Sequence, residues 1–291
     1  MATLREIRKR IRSVQNISKV TRAMQTVSAS RMRRAQLMTL ATRPYADKSW
    51  EVLGHLAGRL SPEQRRALPL LAPRPVHAIE VLLIAGSRGL CGGYNHNVVN
   101  AAIDFAAQQT VPVRFVTVGR KAREYLARYG REIVADFDLP DPPSADDARP
   151  IARLVCDDLE RGAADQVWLA STQFVSTMTQ RPQVRLLLPI QAVGGAETAS
   201  AGVPYIFEPD AESILEPMLR RFLDLQVYRA LLEALASEHS ARMVAMRSAT
   251  DNALRLIDEL TLGYNKARQE AITKELIDIV GGAAALAQTR V

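Results

Sequence analysis

Both ends of the chain lack helix-breaking residues over long stretches. Proline is absent from Met1 to Arg43 and from Met218 to Val291, and glycine is absent from Met1 to Leu53 and from Val203 to Leu262. If both stretches are helical, they extend about 80 and 100 Å at a rise of about 1.5 Å per residue. A chain of 291 residues is too small to bury either helix along its whole length. We therefore expect the two helices to pack on each other or on a partner.

The N-terminal stretch carries a single apolar stripe. Apolar side chains recur every three or four residues, at Leu4, Ile7, Ile11, Val14, Ile17, Val20, Met24 and Val27. This spacing predicts one apolar face of a helix. Thr3 and Glu6 have the spacing of a capping box at its start. Pro44 is expected to bend or interrupt the helix before the pattern resumes over Trp50–Leu60.

The middle of the chain alternates short apolar runs with helical patterns. The predicted strands are Ile79–Ala85, Val113–Val118, Glu132–Phe137, Gln166–Ser171 and Gln183–Pro189. The predicted helices are Asn97–Gln109, Lys121–Tyr129 and Ile151–Arg161. The proline- and aspartate-rich stretch Asp138–Pro150 predicts a loop. This β-α-β-α order predicts an α/β fold with a small, mostly parallel sheet.

The C-terminal stretch predicts a second long helix that begins between Asp210 and Ser213. Its seam has heptad-like spacing through Leu232, Leu235, His239, Arg242, Met246, Ala249, Ala253, Leu256 and Leu260. Because the middle domain joins the two helices, we expect an antiparallel coiled coil. The predicted parts are an N-terminal coiled-coil helix (1–60), an inserted α/β domain (76–193) and a C-terminal coiled-coil helix (208–286).

The excess positive charge of the chain lies at its N-terminus. Residues 1–43 carry eleven Lys or Arg against one Glu, a net charge of +10, whereas 44–203 sum to zero and 204–291 to −3. Such a helix indicates a negatively charged partner, which can be nucleic acid, an anionic membrane or an acidic protein surface. A solvated face of a coiled coil is the simpler alternative.

Aromatic residues are absent from the basic helix. Residues 1–43 contain no Phe, Tyr or Trp, whereas nucleic-acid stacking and membrane-surface helices use such side chains. The sequence therefore favours docking on acidic protein loops. No apolar run approaches the length of a membrane span, the start lacks a secretory signal, and Cys91 and Cys156 have neither disulfide-framework nor metal-site spacing. We expect a reducing, cytosolic compartment.

A glycine-rich turn is the strongest candidate for enzyme chemistry. Gly86–Gly93 follows a predicted strand and precedes a helix, where nucleotide-binding loops occur. It matches neither G-x-G-x-x-G nor a Walker A loop, and Gly119-Arg120 stands where a ribose-binding acid would follow the second strand. We interpret it as a structural turn. The four histidines are dispersed, so we expect no catalytic residue, no metal site and no cofactor.

Four longer motifs resemble one known family. They are Ser13–Met24 (SVQNISKVTRAM), Arg88–Gly93 (RGLCGG), Arg242–Asn252 (RMVAMRSATDN) and Tyr264–Leu276 (YNKARQEAITKEL). In content and order they are similar to the gamma subunits of F-type ATP synthases, and the resemblance covers essentially the whole chain. One departure is Ser87, since the family usually has Asp before the Arg-Gly of the turn.

The resemblance implies a non-catalytic rotor shaft. In the family the two terminal helices form an antiparallel coiled coil inside the hexamer of alpha and beta subunits. The α/β domain forms a foot at the ring of c subunits and the epsilon subunit. Proton flow turns ring and shaft, which couples transport to ATP synthesis or hydrolysis in the hexamer and regulates it. The resemblance also implies a peripheral location on the cytoplasmic side of a bacterial inner membrane, and no nucleic-acid partner.

The resemblance further implies contact residues by motif match. Contact with the alpha/beta hexamer is implied for Met24, Arg242, Gln269, Thr273, Glu275 and Asp278. Contact with the c ring and the epsilon subunit is implied for Tyr205, Phe207 and Glu208. The alternative for each is an ordinary exposed position on a coiled coil.

Two other classes of function are compatible with parts of the sequence. The basic arm alone supports a nucleic-acid-binding coiled-coil protein, which a steep salt dependence of binding would favour. The glycine turn alone supports a nucleotide-dependent α/β enzyme, which direct binding of a labelled nucleotide would favour.

Overall fold

The structure, a computed structural model, describes residues 3–59, 63, 68–190 and 211–288. In this part of the chain a long N-terminal helix and a long C-terminal helix flank an α/β domain with a five-stranded sheet. The helices are α1 (Leu4–Arg59), α2 (Tyr94–Ala107), α3 (Arg120–Arg128), α4 (Ala145–Glu160) and α5 (Ala211–Gln288). The strands are β1 (Ile79–Ile84), β2 (Val113–Val118), β3 (Ile133–Phe137), β4 (Gln166–Phe174) and β5 (Gln180–Leu188).

Contacts divide the chain into two compact units. Unit 1 comprises Met1–Val27 and Ala245–Val291, and unit 2 comprises Ser28–Val244. Unit 1 therefore holds the start of α1 and the last part of α5. Unit 2 holds the whole α/β domain together with the remaining segments of both long helices.

The sheet has the strand order β3-β2-β1-β4-β5. β1 is parallel to β2 and β4, β2 is parallel to β3, and β5 is antiparallel to β4. The predicted small, mostly parallel sheet between two long helices is thus confirmed. β1 lies at the centre with every residue buried, which explains its nearly continuous apolar sequence.

Helices cover both faces of the sheet. On one face Leu82, Val116 and Leu169 pack with α4, with the first turns of α5 and with the end of α1. On the other face Val81 and Phe115 pack with α2 and α3. Full burial of one large apolar side chain contributes about 1.5–3 kcal/mol. This double core holds the carboxyl edge of the sheet, and the loops that leave it, in a fixed arrangement.

The first helix continues through Pro44, where the sequence predicted a bend or a break. α1 is unbroken from Leu4 to Arg59 with Pro44 inside it. Proline in a helix interior costs about 3 kcal/mol or more through its missing N–H group. Burial beyond Pro44 offsets this cost: Ala46 and Leu53 are buried, and the ring of Trp50 lies 4.5 Å from that of Phe222.

The predicted loop Asp138–Pro150 is wrong over its second half, because α4 already begins at Ala145. Ser144 caps this helix: its backbone N–H donates to Asp147 Oδ2 at 2.7 Å, and Asp147 N–H donates to Ser144 Oγ at 3.3 Å. These two hydrogen bonds satisfy donors that a helix start leaves free. The prolines concealed this cap in the sequence.

Candidate partner-binding surface

The two long helices pair antiparallel within unit 1. Thr21 Oγ1 lies 2.7 Å from Thr250 Oγ1, and the guanidinium of Arg8 contacts the hydroxyl and the ring of Tyr264. Arg8 precedes Thr21 in α1, whereas its partner Tyr264 follows Thr250 in α5. The chain directions are opposed, as the sequence predicted.

The outer face of α1 in unit 1 is both basic and apolar. Ile17, Val20 and Val27 are each more than half exposed. Seven cations on the same helix segment are exposed: Arg5, Arg8, Lys9, Arg10, Arg12, Lys19 and Arg22. Exposed apolar groups rimmed by charge are typical of a surface that contacts another protein. Met24, predicted as a contact residue, is half-buried on this segment.

Four other predicted contact residues lie on α5 in unit 1. Gln269, Thr273, Glu275 and Asp278 are all exposed. Large apolar side chains on the same stretch are also exposed, at Leu262, Ile272, Leu276, Ile277, Ile279 and Val280. This stretch of α5 therefore presents polar and apolar groups that the described part of the chain leaves uncovered.

Arg242 differs from the rest of the predicted set, because its side chain is buried in unit 2. Its Nη2 donates to the carboxylate of Glu238, its Nη1 lies 3.2 Å from His239 Nδ1, and its Nε donates to the Gly89 carbonyl at 3.3 Å. Arg242 is therefore neither a free surface cation nor the ordinary exposed position that the sequence offered as the alternative. Its contact with the hexamer stays a prediction.

The predicted foot contacts Tyr205, Phe207 and Glu208 lie outside the described residues. They also stay predictions.

Residues at the carboxyl edge of the sheet contact one short segment of α5, and the sequence did not reveal these contacts. The Tyr94 hydroxyl donates to the Ala234 carbonyl at 3.0 Å. The Ser237 hydroxyl donates to the Thr172 carbonyl at 3.3 Å. The Ser240 hydroxyl donates to the Thr177 carbonyl at 2.7 Å. The small residues Ala234, Ala236, Ser237 and Ser240 were a signal for close approach, but they did not indicate which residues of the α/β domain approach them.

His239 lies buried at the centre of this contact. Burial lowers the pKa of His239 below its ordinary value of 6.5, although Asp141 and Glu238 act in the opposite direction. A neutral ring accepts from Arg242 at Nδ1 and carries its proton on Nε2, which lies 3.4 Å from Asp141 Oδ1. The imidazole thus acts as a hydrogen-bonding link between α5 and the loop before α4.

The glycine-rich turn is held by internal hydrogen bonds. Asn95 Oδ1 accepts from the Gly86 N–H at 2.8 Å, and Asn95 Nδ2 donates to the Arg88 carbonyl at 3.1 Å. Ser87 donates to Asp138 Oδ1 at 2.8 Å, so its hydroxyl keeps a local tie in a place where the family usually has Asp. Burial raises the pKa of Cys91, which makes this thiol a poor nucleophile.

A small cleft of about 230 Å³ lies beside this turn, lined on its far side by α3. Lys121, one of its cations, is paired with Glu124 at 2.5 Å. Within the described residues, no group of three His, Cys, Asp or Glu side chains is arranged to hold a metal ion.

A buried ionic cluster sits at the opposite end of β1. Arg114 Nη2 lies 2.8 Å from Glu80 Oε2 and 2.9 Å from Asp158 Oδ2, although the angles at these contacts are not those of hydrogen bonds. Burial, reinforced by Asp158, raises the pKa of Glu80 to about 8 against the opposing effect of Arg114. Sequence inspection missed this cluster because Glu80 is one acid in an apolar strand.

The fold and these surfaces define an α/β protein with an antiparallel pair of long helices whose outer faces are exposed in unit 1. None of the described helices contains a segment long and apolar enough to span a membrane.

The comparisons with known proteins agree with one another. The ATP synthase family matches residues 3–286. A relative named ATP synthase gamma chain from Dehalococcoides mccartyi (strain CBDB1) is 50% identical over 289 residues, which are 99% of this chain and 100% of the relative. The gamma chain of Herpetosiphon aurantiacus is 45% identical over 298 aligned residues, with 99% and 100% coverage. The chain therefore belongs to the ATP synthase gamma family, and its relatives are named as one chain of that complex.

Solved structures show the same fold. A chain in the structure of Euglena gracilis mitochondrial ATP synthase, OSCP/F1/c-ring, matches with a TM-score of 0.69 at 20% identity, covering 99% of this chain and 96% of that one. A chain of the Tetrahymena thermophila mitochondrial ATP synthase central stalk and c ring matches with a TM-score of 0.61 at 22% identity, covering 79% and 99%. At these identities the likeness extends to the fold alone.

Proposed function

We propose that the chain is the non-catalytic rotor shaft of a bacterial ATP synthase. It couples proton flow through the membrane ring to ATP synthesis or hydrolysis in the alpha/beta hexamer by rotating, and it regulates that activity. The observation that carries the proposal is the pairing of two helices of 56 and 78 residues in a gamma-family chain. Long helices with few breakers suit a part that transmits twist, and its catalytic chemistry belongs to the partners.

The contact with the hexamer is proposed for the outer faces of the helix pair. The exposed cations of α1 in unit 1 suit acidic loops, because long-range attraction persists as the partners change position and falls off with salt. Gln269, Thr273, Glu275 and Asp278 are free to take part, and Met24 lies on the basic helix. For Arg242 we propose an indirect role, in which it holds the glycine turn through Gly89.

The contact with the c ring and the epsilon subunit is proposed for Tyr205, Phe207 and Glu208. In this arrangement 76–193 form the foot, and 1–60 and 208–286 form the coiled-coil helices. The chain then reaches the cytoplasmic side of the inner membrane through its complex, as a peripheral component. The support is family membership together with the neighbouring structures, which are named as central stalk and c-ring assemblies.

The test is purification of the complex through a tag on this chain, followed by observation of rotation. We expect the alpha, beta, epsilon and c subunits to co-purify, and a probe on the α/β domain to turn when the immobilised hexamer hydrolyses ATP. Absence of these subunits, or a probe that stays still during hydrolysis, would refute the proposal. A steep salt slope of tight nucleic-acid binding would instead favour the alternative suggested by the basic arm.

A further inference from the structure

Residues from two connections at the carboxyl edge of the sheet contact one segment of α5, and these contacts lie wholly inside unit 2. The segment is Ala234–Arg242, here named the joint segment. It accepts a hydrogen bond from Tyr94 at the start of α2 and donates hydrogen bonds to the turn after β1, the end of β4 and the β4–β5 turn. Ser237 and Ser240 are fully buried, so these contacts are sheltered from water.

Asp141, in the loop between β3 and α4, ties both long helices to the α/β domain. Its Oδ2 accepts from Arg31 Nη1 on α1 at 2.6 Å. Its Oδ1 lies 3.4 Å from His239 Nε2 on α5. The polar chain then continues from His239 to Arg242 and from Arg242 to Glu238. One carboxylate thus connects two helices that are far apart in the sequence.

Glu238, which also belongs to the joint segment, contacts the turn after β1. A Cβ placed on Gly86 would lie 2.7 Å from Glu238 Cδ, so the backbone of the turn rests directly on this side chain. Glycine at position 86 therefore permits the close approach of turn and helix. The turn after β1 contacts the joint segment on one side, and Asp141 contacts it on the other.

These contacts differ in kind from the apolar core. The hydrophobic effect has no preferred direction, because its energy follows the buried area. Hydrogen bonds and ion pairs weaken steeply when their distance and angle change. Polar contacts arranged around a helix therefore resist its rotation relative to the domain that grips it.

We infer that the α/β domain turns the two long helices through the contacts of the joint segment and of Asp141, and that Asp141 is the positioning residue. The inference rests on the proposed rotor function and adds to it the place where twist passes from domain to helix. In this role Asp141 keeps α1 and α5 at one angle to the sheet, because displacement of either helix stretches a contact to the same carboxylate.

The experiment uses the complete complex, fixed by its hexamer, with a probe on the α/β domain whose angular fluctuation is recorded while the motor is stalled. Arg31→Gln removes one partly exposed ion pair and should increase the angular variance by up to about twofold. Asp141→Asn also removes the contact to His239 and should increase the variance further. Asp104→Asn is the matched control, since Asp104 is an exposed carboxylate on α2. It should behave as the wild type.

The double variant Asp141→Asn with Arg31→Gln decides whether the two residues act through one contact. Its variance should equal that of Asp141→Asn alone, since that change already removes the contact to Arg31, and Arg31→Lys should retain most of the wild-type stiffness. Melting temperatures of the complexes should be unchanged. If the wild-type probe turns but Asp141→Asn and Arg31→Gln fluctuate like the control, this inference is refuted while the proposed rotor function stands. If the wild-type probe does not turn, the rotor function falls and this inference with it.

Discussion

The hydroxyl groups of Thr21 and Thr250 lie 2.7 Å apart on opposite helices of unit 1, and both residues are buried. Each hydroxyl also has a carbonyl of its own helix in reach, at Ser18 and Met246 respectively. A hydroxyl has only one proton to donate, so one bond runs along a helix while the other crosses between helices. This pair sets the register of α1 against α5.

Replacement of either threonine by valine should destabilise the chain by about 1 kcal/mol, because it leaves one buried hydroxyl without its cross-helix partner. The double variant Thr21→Val with Thr250→Val should cost clearly less than the sum of the singles. Urea unfolding of the full chain, followed by circular dichroism, measures all three. Thr26→Val, at an exposed position on α1, is the control. Strict additivity of the two buried changes would contradict a shared bond.

Gly119 meets a backbone that leaves no room for a side chain. Its φ is +92°, and an added Cβ would lie 2.2 Å from the Ala85 carbonyl oxygen. Gly119→Ala should therefore cost about 2–5 kcal/mol, since backbone strain and overpacking add. Gly130→Ala is the matched change, because its φ is +62° with nothing within 4 Å of the added carbon. It should cost about 1–2 kcal/mol. Equal melting temperatures for the two variants would contradict this account.

The parts of the fold that depend on short-range sequence patterns were predictable. The apolar run at β1, the turns between strands and the absence of Gly and Pro from the terminal stretches all report on short-range geometry. The possible interruption at Pro44 and the predicted loop over the start of α4 were wrong, because tertiary packing decides the first and a specific helix cap decides the second. Trp50 packs on Phe222, far away in the sequence, and Ser144 caps a helix that the neighbouring prolines conceal.

The charge of the candidate partner-binding surface was predictable from the sequence, whereas its individual contacts were not. The basic face of α1 is a composition signal and is exposed in the structure. The burial of Arg242 depends on the Gly89 carbonyl, and the tie at Asp141 joins residues 110 and 98 positions apart. Pairings across such separations leave no trace in a single sequence. The same holds for Glu80, whose partners Arg114 and Asp158 come from a neighbouring strand and a helix.

The raised pKa of Glu80 predicts a pH dependence of stability. Burial and Asp158 raise this pKa from an ordinary 4.5 to about 8, so the folded chain keeps a proton that the unfolded chain releases. The stabilisation is complete below about pH 4.5 and is lost as pH rises towards 8. The slope reaches at most about 1.4 kcal/mol per pH unit.

Glu80→Gln should flatten this slope, because the amide stays neutral at every pH in this window. Urea midpoints of wild type and variant, measured at several values between about pH 5 and pH 8, give the comparison. Glu132→Gln removes an exposed carboxylate from the same domain and should retain the wild-type slope. Parallel curves for wild type and Glu80→Gln would rule out a proton held by Glu80.

Met24→Lys should impair coupling more than assembly. Met24 is half-buried on the basic segment of α1, so the substitution adds a cation where the hexamer is proposed to dock and changes little of the buried core. An ammonium group fixed against acidic loops would hold the rotor at some angles and hinder its turning at others. Reconstituted vesicles allow ATP hydrolysis and ATP-driven proton pumping to be measured together, and we expect the pumping per ATP to fall several-fold. Gln108→Lys adds the same charge at an exposed position of unit 2 and should leave the ratio unchanged. An equal loss of hydrolysis and pumping in Met24→Lys would argue against a coupling role for this position.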